Sequence, residues 1–132
     1  MRVLALDYGS ARCGCAISDP TGVLATPVEP ILRPATRAGL KRVRALVGQR
    51  AVELVLVGLP LSLSGGDSAQ TTETRAFAQS LARELSVPVE LYDERFTTRL
   101  AQQGGGGGSE DSRAAAHLLQ SWLSSREAAG GE

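Results

Sequence analysis

The stretch Glu53-Leu54-Val55-Leu56-Val57-Gly58-Leu59-Pro60 carries no charge after its first residue and no alternation of polar with apolar positions. A short run of this kind, rich in Val and Leu and closed by proline, reads as a strand buried on both faces, as in a covered parallel sheet. Just before it, Leu40, Val43, Leu46 and Val47 recur at helical spacing behind Thr36, a good helix N-cap, and the pattern stops at Gly48 and Gln49. A helix that feeds a doubly buried strand implies a parallel crossover.

Three strands precede that helix. Arg2 to Asp7 is the first and about Cys13 to Ser18 the second, joined as a hairpin around Gly9, Ser10 and Arg12. Asp19-Pro20-Thr21-Gly22 is a turn, and Val23 to Ile31 reads as a third strand whose Pro27 and Pro30 suit a sheet edge. Downstream, Ser64-Gly65-Gly66-Asp67 is loop, and a helix from about Ser68 to Leu85 buries Phe77, Ala78, Leu81 and Leu85. A fifth strand runs from Pro88 to near Asp93, and an amphipathic helix opens at Asp111 and passes Trp122. Three antiparallel strands followed by α-β-α-β-α predict an α/β fold: a five-stranded mixed sheet flanked by helices.

A chain of 132 residues is expected to form one domain. With one Trp, two Tyr and two Phe, its core must rest on Val, Leu, Ile and Ala. Fourteen basic and 14 acidic residues cancel, so bulk charge draws it neither to nucleic acid nor to membrane. Between Glu29 and Glu53, however, there is no acid, while Arg33, Arg37, Lys41, Arg42, Arg44 and Arg50 all fall there. Arg37, Lys41 and Arg44 share a helix face and could track a phosphate backbone, or could form a solvated face with acidic neighbours in space. Cys13 and Cys15 share one face of a strand, a spacing unsuited to a disulfide or to zinc, and read as small core residues. No signal peptide and no long apolar span is visible, so a soluble, cytoplasmic protein without a membrane partner is expected.

Asp7, Glu94 and Asp111 each stand at the edge of a separate apolar element, where hard oxygen ligands for Mg²⁺ or Mn²⁺ would be needed. Asp7 and Glu94 follow the carboxyl ends of strands, where α/β sheets place ligands. Ala115, Leu118 and Trp122 follow Asp111 at i+4, i+7 and i+11, so the acid lies on the stripe turned to the sheet. His117 lies off that stripe. Alternation puts Asp93 opposite Glu94, which makes Glu94 the preferred ligand. Gly104 to Gly108, followed by Ser109, is expected to be a flexible loop over 104–109, as a linker or as a lid above the acids.

The stretch Leu6-Asp7-Tyr8-Gly9-Ser10-Ala11-Arg12-Cys13-Gly14-Cys15-Ala16-Ile17-Ser18-Asp19 resembles the opening motif of the YqgF (RuvX-type) Holliday-junction-resolvase-like nucleases, which have a ribonuclease H-like fold. Val57-Gly58-Leu59-Pro60-Leu61, Gly65-Gly66 and Arg75-Ala76-Phe77-Ala78 resemble the family's central block. Asp93-Glu94-Arg95-Phe96-Thr97-Thr98 resembles its acidic block, and Asp111, Ala114-Ala115 and Leu119-Gln120-Ser121-Trp122-Leu123 its terminal helix. Four ordered motifs thus cover nearly the whole chain.

The resemblance implies a metal-dependent nuclease with Asp7, Glu94 and Asp111 at the acidic positions. It also implies maturation of the 5′ end of 16S ribosomal RNA, resolution of branched DNA junctions, or both. Relatives usually carry a longer basic stretch where this chain has its glycines, so phosphate contact is expected from Gly9, Ser10, Arg12, Arg95 and Thr97 and from the face bearing Arg37, Lys41 and Arg44. In the ribonuclease H order the strand ending at Gly58 separates those of Asp7 and Glu94 by roughly 10 Å, so either the turn after Asp93 folds back or the site assembles fully only with metal and substrate. Symmetric cutting of a junction would call for a homodimer. The alternatives are a catalytically silent nucleic-acid-binding domain and an actin-like nucleotide-binding domain, the latter suggested by Asp7-Tyr8-Gly9-Ser10.

Overall fold

A computed structural model describes residues 1–60, 68–93 and 110–130, with side chains in the last segment described from 112 to 126. Its elements are β1 (Val3–Asp7), β2 (Arg12–Ser18), β3 (Ala25–Leu32), α1 (Arg37–Gln49), β4 (Leu54–Leu59), α2 (Ala69–Glu84), β5 (Val89–Asp93) and α3 (Glu110–Gly130). They form one five-stranded sheet in the order β3-β2-β1-β4-β5. The β1–β2 and β2–β3 pairs are antiparallel, and β4 pairs in parallel with both β1 and β5. The mixed sheet and the crossover expected from the Glu53–Pro60 stretch are both present, and the architecture is ribonuclease H-like. Among the described residues no helix is long and apolar enough to cross a membrane.

Alternation of side chains along each strand divides the interior into two cores. Leu4, Leu6, Cys13, Cys15, Ile17, Val55 and Val57 face α1 and α2, where Val43, Val47, Phe77 and Leu81 meet them. On the other face Val3, Ala5, Ala16, Leu54 and Leu56 pack against Ala115, Leu118, Leu119, Trp122 and Leu123 of α3. Both cysteines are free and buried, as their shared strand face suggested.

The third strand begins two residues later than its apolar pattern implied, and Asp19 is the reason. Its carboxylate accepts the Val23 and Leu24 N–H groups at 2.8 and 2.9 Å and bonds the Thr21 hydroxyl as well. Those bonds hold the carboxyl well below the usual carboxylate range, with the Thr21 hydroxyl the strongest cause. Val23 and Leu24 are thereby kept in the turn and left exposed.

Each end of α1 has its own device. The Thr36 hydroxyl accepts the Gly39 N–H at 3.1 Å and donates to the Arg33 carbonyl at 2.7 Å. A Cβ on Gly39 would lie 2.2 Å from that same carbonyl, so only glycine fits the first turn. At the other end Val52 N–H returns to the Val47 carbonyl at 3.0 Å while Ala51 takes φ 52°, the left-handed conformation that glycine adopts freely.

In α2 the buried stripe includes Thr71 and Thr74, which periodicity of apolar residues could not reveal. Their hydroxyls donate to the Pro60 and Gln70 carbonyls, each at 2.8 Å, so burial leaves neither unsatisfied. The Thr71 bond also fixes the start of α2 to the end of β4.

Replacing Ala51 with glycine removes the steric cost of its positive φ and should raise stability by about 0.5–1 kcal/mol. Equilibrium denaturation of Ala51→Gly checks this, and a loss of stability would show that the helix end is not strained there.

Candidate functional site at the carboxyl ends of the parallel strands

Asp7 is the last residue of β1, half-buried. Val3 and Ala5 belong to the α3-side core, so alternation turns Asp7 toward α3 as well. The pairing register sets it opposite Gly14 on β2 and, one step beyond the Leu6–Val57 pair, level with Gly58 on β4. Gly58 is in turn level with Tyr92 on β5. Across that face the row therefore reads Gly14, Asp7, Gly58, Tyr92. On that face the carboxylate stands between two buried glycines, which carry no side chain of their own, at about the 4.8 Å strand spacing.

The hydroxyl of Ser112, in the first turn of α3, is what brings that helix to this row. It accepts the Cys15 N–H at 3.2 Å and donates to the Val28 carbonyl at 2.5 Å. Cys15 and Val28 are register partners beside the irregularity between Cys13 and Cys15, so the side chain bridges two backbone groups of the β2–β3 ladder. Cys15 also pairs with Leu6, the neighbour of Asp7. The first turn of α3, which carries Asp111, is thereby held one residue along the ladder from the row of Asp7. The side chain of Asp111 lies outside the described ones.

Behind the row, Tyr8 points to the opposite face. Its ring centroid is 4.6 Å from that of Phe77, and its hydroxyl donates to Glu73 Oε2 at 2.6 Å. Burial first, then the Glu73 carboxylate, pushes the phenol from 10.0 up to about 12. The residue after Asp7 is thus tied to α2, which limits the freedom of the strand end.

The other predicted site residues are distributed unevenly. Ser10 and Arg12 are exposed at the β1–β2 turn beside Asp7, and Gly9 lies in the same turn. A Cβ on Gly9 would come 2.7 Å from the Arg12 carbonyl, so the closure of the turn itself demands glycine. Arg37, Lys41 and Arg44 are exposed on α1, on the sheet face away from α3. Arg44 pairs with Glu84 at 3.3 Å, so the expectation of an acidic neighbour in space holds for that residue. Glu94, Arg95 and Thr97, together with the glycine run, fall outside the described residues. Asp93 is described: Tyr92 bonds Ser121 of α3 at 3.1 Å while Val89 packs in the α1–α2 core, so alternation directs Asp93 away from the face of Asp7. Strand order also confirms that β4 separates β1 from β5. Among the described residues no three His, Cys, Asp or Glu side chains cluster as a metal site.

Sequence reasoning missed Ser112, Gly14 and Gly58. A polar residue three positions before Ala115 on an otherwise apolar stripe was the available signal for Ser112; the glycines gain meaning only from the register.

Solved structures share this architecture. The chain superposes on Thermus thermophilus RuvC in complex with a Holliday junction substrate at a TM-score of 0.64, covering 96% of each chain at 15% identity. The fowlpox virus Holliday junction resolvase gives 0.56 at 13% identity, covering 95% of this chain and 99% of that one. At such identities the likeness concerns the fold alone, that of the ribonuclease H-like class.

Sequence is more specific. The profile of a family described as RuvX, Holliday junction resolvase, matches residues 1–125, and the chain belongs to this family. A Streptomyces avermitilis protein named "Putative pre-16S rRNA nuclease" is 42% identical over 139 residues, covering 98% of this chain and 89% of its own length. A protein of the same name from Anaeromyxobacter is 40% identical over 137 residues, covering 97% of this chain and all of the relative. One from Koribacter versatilis is 44% identical over 97 residues, 74% of this chain but 63% of that protein.

Two measurements check this geometry. Ser112→Ala leaves the Cys15 N–H and Val28 carbonyl without their bridge and should cost roughly 2–3 kcal/mol in equilibrium denaturation; a neutral effect would mean the ladder closes without it. Because the phenol of Tyr8 is raised in the folded chain, its contribution to stability is full below pH 10.0 and is lost as pH rises through about 12. Tyr8→Phe should therefore remove a phenolate absorbance step near that upper value, and titration near the ordinary value would contradict the Glu73 contact.

Proposed function

We propose that this chain is a divalent-metal-dependent nuclease that hydrolyses phosphodiester bonds in structured nucleic acid, with pre-16S ribosomal RNA as its substrate. The observation that carries the reading is the place of Asp7: a half-buried carboxylate that ends a central strand at the carboxyl ends of the parallel strands, with the first turn of α3 held one rung away. The carboxyl ends of parallel strands are where α/β sheets place ligands, so an acid there suits a metal ligand better than a packing role. The hard oxygen donor fits Mg²⁺ or Mn²⁺.

Asp7, Glu94 and Asp111 would hold the ion. When bound, it supplies Lewis acidity at the scissile phosphate and makes water a nucleophile near neutral pH. Asp7 directs its carboxylate from a strand fixed on both sides, and the Ser112 bridge holds the turn that carries Asp111. Ser10 and Arg12, exposed in the turn beside Asp7, would meet phosphate oxygens, and Arg95 and Thr97 would join them by family resemblance. The names of the relatives support RNA as the substrate. The description of the family profile supports a second reading, cleavage of four-way DNA junctions, for which a homodimer would place two sites on one substrate.

Asp7→Asn tests the mechanism. Cleavage of a pre-16S RNA fragment in Mn²⁺ should fall by roughly a hundredfold or more, with thermal stability retained. A four-way junction assayed alongside decides between the substrates, and unchanged cleavage of both by Asp7→Asn would sink the metal mechanism.

A further inference from the structure

α1 holds three cations that no described interaction uses. Arg37, Lys41 and Arg42 are exposed, and none has an ion-pair or hydrogen-bond partner among the described residues. The helix has no acidic residue along its 13 positions, and its exposed surface between these cations consists of Ala38, Ala45 and Gly48. A Cβ at Gly48 would meet nothing within 4 Å, so space leaves this side of the helix shallow and unobstructed. Charge without partners on an open face is what a polyanion requires.

The direction of α1 gives the surface its meaning. β3 ends where β2 begins, at the Leu32–Arg12 pair, and the Arg33 N–H bonds the Ala11 carbonyl at 2.9 Å. The helix therefore starts at the end of the sheet where Asp7 and Arg12 stand, then runs back along the sheet to Gln49. Thirteen residues span about 20 Å. Arg37 and Lys41 are about 6 Å apart along the axis, and Arg42 flanks the same surface on its other side. At the B-form spacing of one phosphate per strand for about every 3.4 Å the helix would match about six base pairs, and the shorter rise of A-form RNA makes about six a lower bound.

We propose that the outer face of α1, through Arg37, Lys41 and Arg42, docks the backbone of a double-stranded RNA stem that adjoins the cleaved strand. This rests on the nuclease reading for the identity of the substrate, and the names of the relatives favour RNA over DNA. Recognition here is by phosphate spacing and helical shape, since charged ends on an open helix face carry no base-reading element. From the α3 face, to which Asp7 turns, the stem passes around the end of the sheet to the outer face of α1, so substrates differ by the length of duplex beside the cut.

Binding is measured on the Asp7→Asn protein, so that no cleavage intervenes, with RNAs bearing a stem of about four or about ten base pairs next to the same single strand. The comparison is with the same protein carrying Arg37→Gln, Lys41→Gln and Arg42→Gln; Arg44 is kept because it pairs with Glu84. The longer stem should bind at least about tenfold more tightly to the parent, and the triple variant should lose that advantage. Its salt slope should also be shallower by about 2–3, near 0.9 per lost phosphate contact. Stem-length preference and salt slope unchanged in the triple variant would overturn the proposal. Equal gain from a DNA duplex of the same length, lost in the same variant, would overturn the assignment to RNA. Thermal melting of the variant verifies folding, and because binding is read without turnover, failure here is separable from failure of the nuclease reading.

Discussion

A serine hydroxyl ties the start of the last helix to a strand pair from the beginning of the chain. Ser112 sits 97 residues from Cys15 and 84 from Val28 in the chain, yet it occupies the place where their backbones would otherwise face each other. Hydrophobic packing alone would let α3 slide along its apolar stripe, because contacts among Ala115, Leu118 and Trp122 are non-directional. A buried hydrogen-bond pair has a defined geometry and a cost if it is not made. Packing thus decides that α3 covers the sheet, while this hydroxyl, together with the bonds of Gln120 and Ser121 farther along the helix, decides where along the sheet it sits. Placement of the first turn beside Asp7 follows from that.

The strand ends around Asp7 combine a clamp on one face with glycines on the other. On one face Tyr8 is clamped by Phe77 and Glu73. On the other, Gly14 and Gly58 remove side chains from the rungs beside the carboxylate. Glycine inside strands weakens a sheet, but here both lie on strands paired on each side, where neighbouring ladders restore order. Division of labour between the two faces permits it: the larger α1–α2 core holds the sheet while the α3 face carries the glycines beside the acid.

Much of this was legible in the sequence because period and polarity were unambiguous. The charge-free run of β4 announced a buried parallel strand, and Leu40, Val43 and Val47 announced α1 and its inner face. Cys13 and Cys15 were placed in the core by spacing alone. What escaped was set by contacts between distant segments. Thr71 and Ser112 look like surface residues until the carbonyls they bond are known, and Gly14 and Gly58 look like ordinary glycines until pairing aligns them with Asp7. Ala51 escaped for a different reason, since a non-glycine residue at a left-handed helix end contradicts the usual signal. The start of β3 shifted because the Asp19 carboxylate competes successfully for the N–H groups of Val23 and Leu24.

The alternation along β1 has a consequence for how this chain can vary. Val3, Ala5 and Asp7 look one way, and Leu4, Leu6 and Tyr8 the other. Removing one residue from that strand, or adding one, would exchange the two sets rather than shift the site gradually. A phenol bound to its acid would then face α3, and the carboxylate would be driven into the apolar space beside Phe77. Side-chain changes within β1 can be graded, but changes in its length are all-or-nothing. The spacing between the start of the strand and its acid is therefore the quantity that tolerates no drift, whatever substitutions accumulate between them.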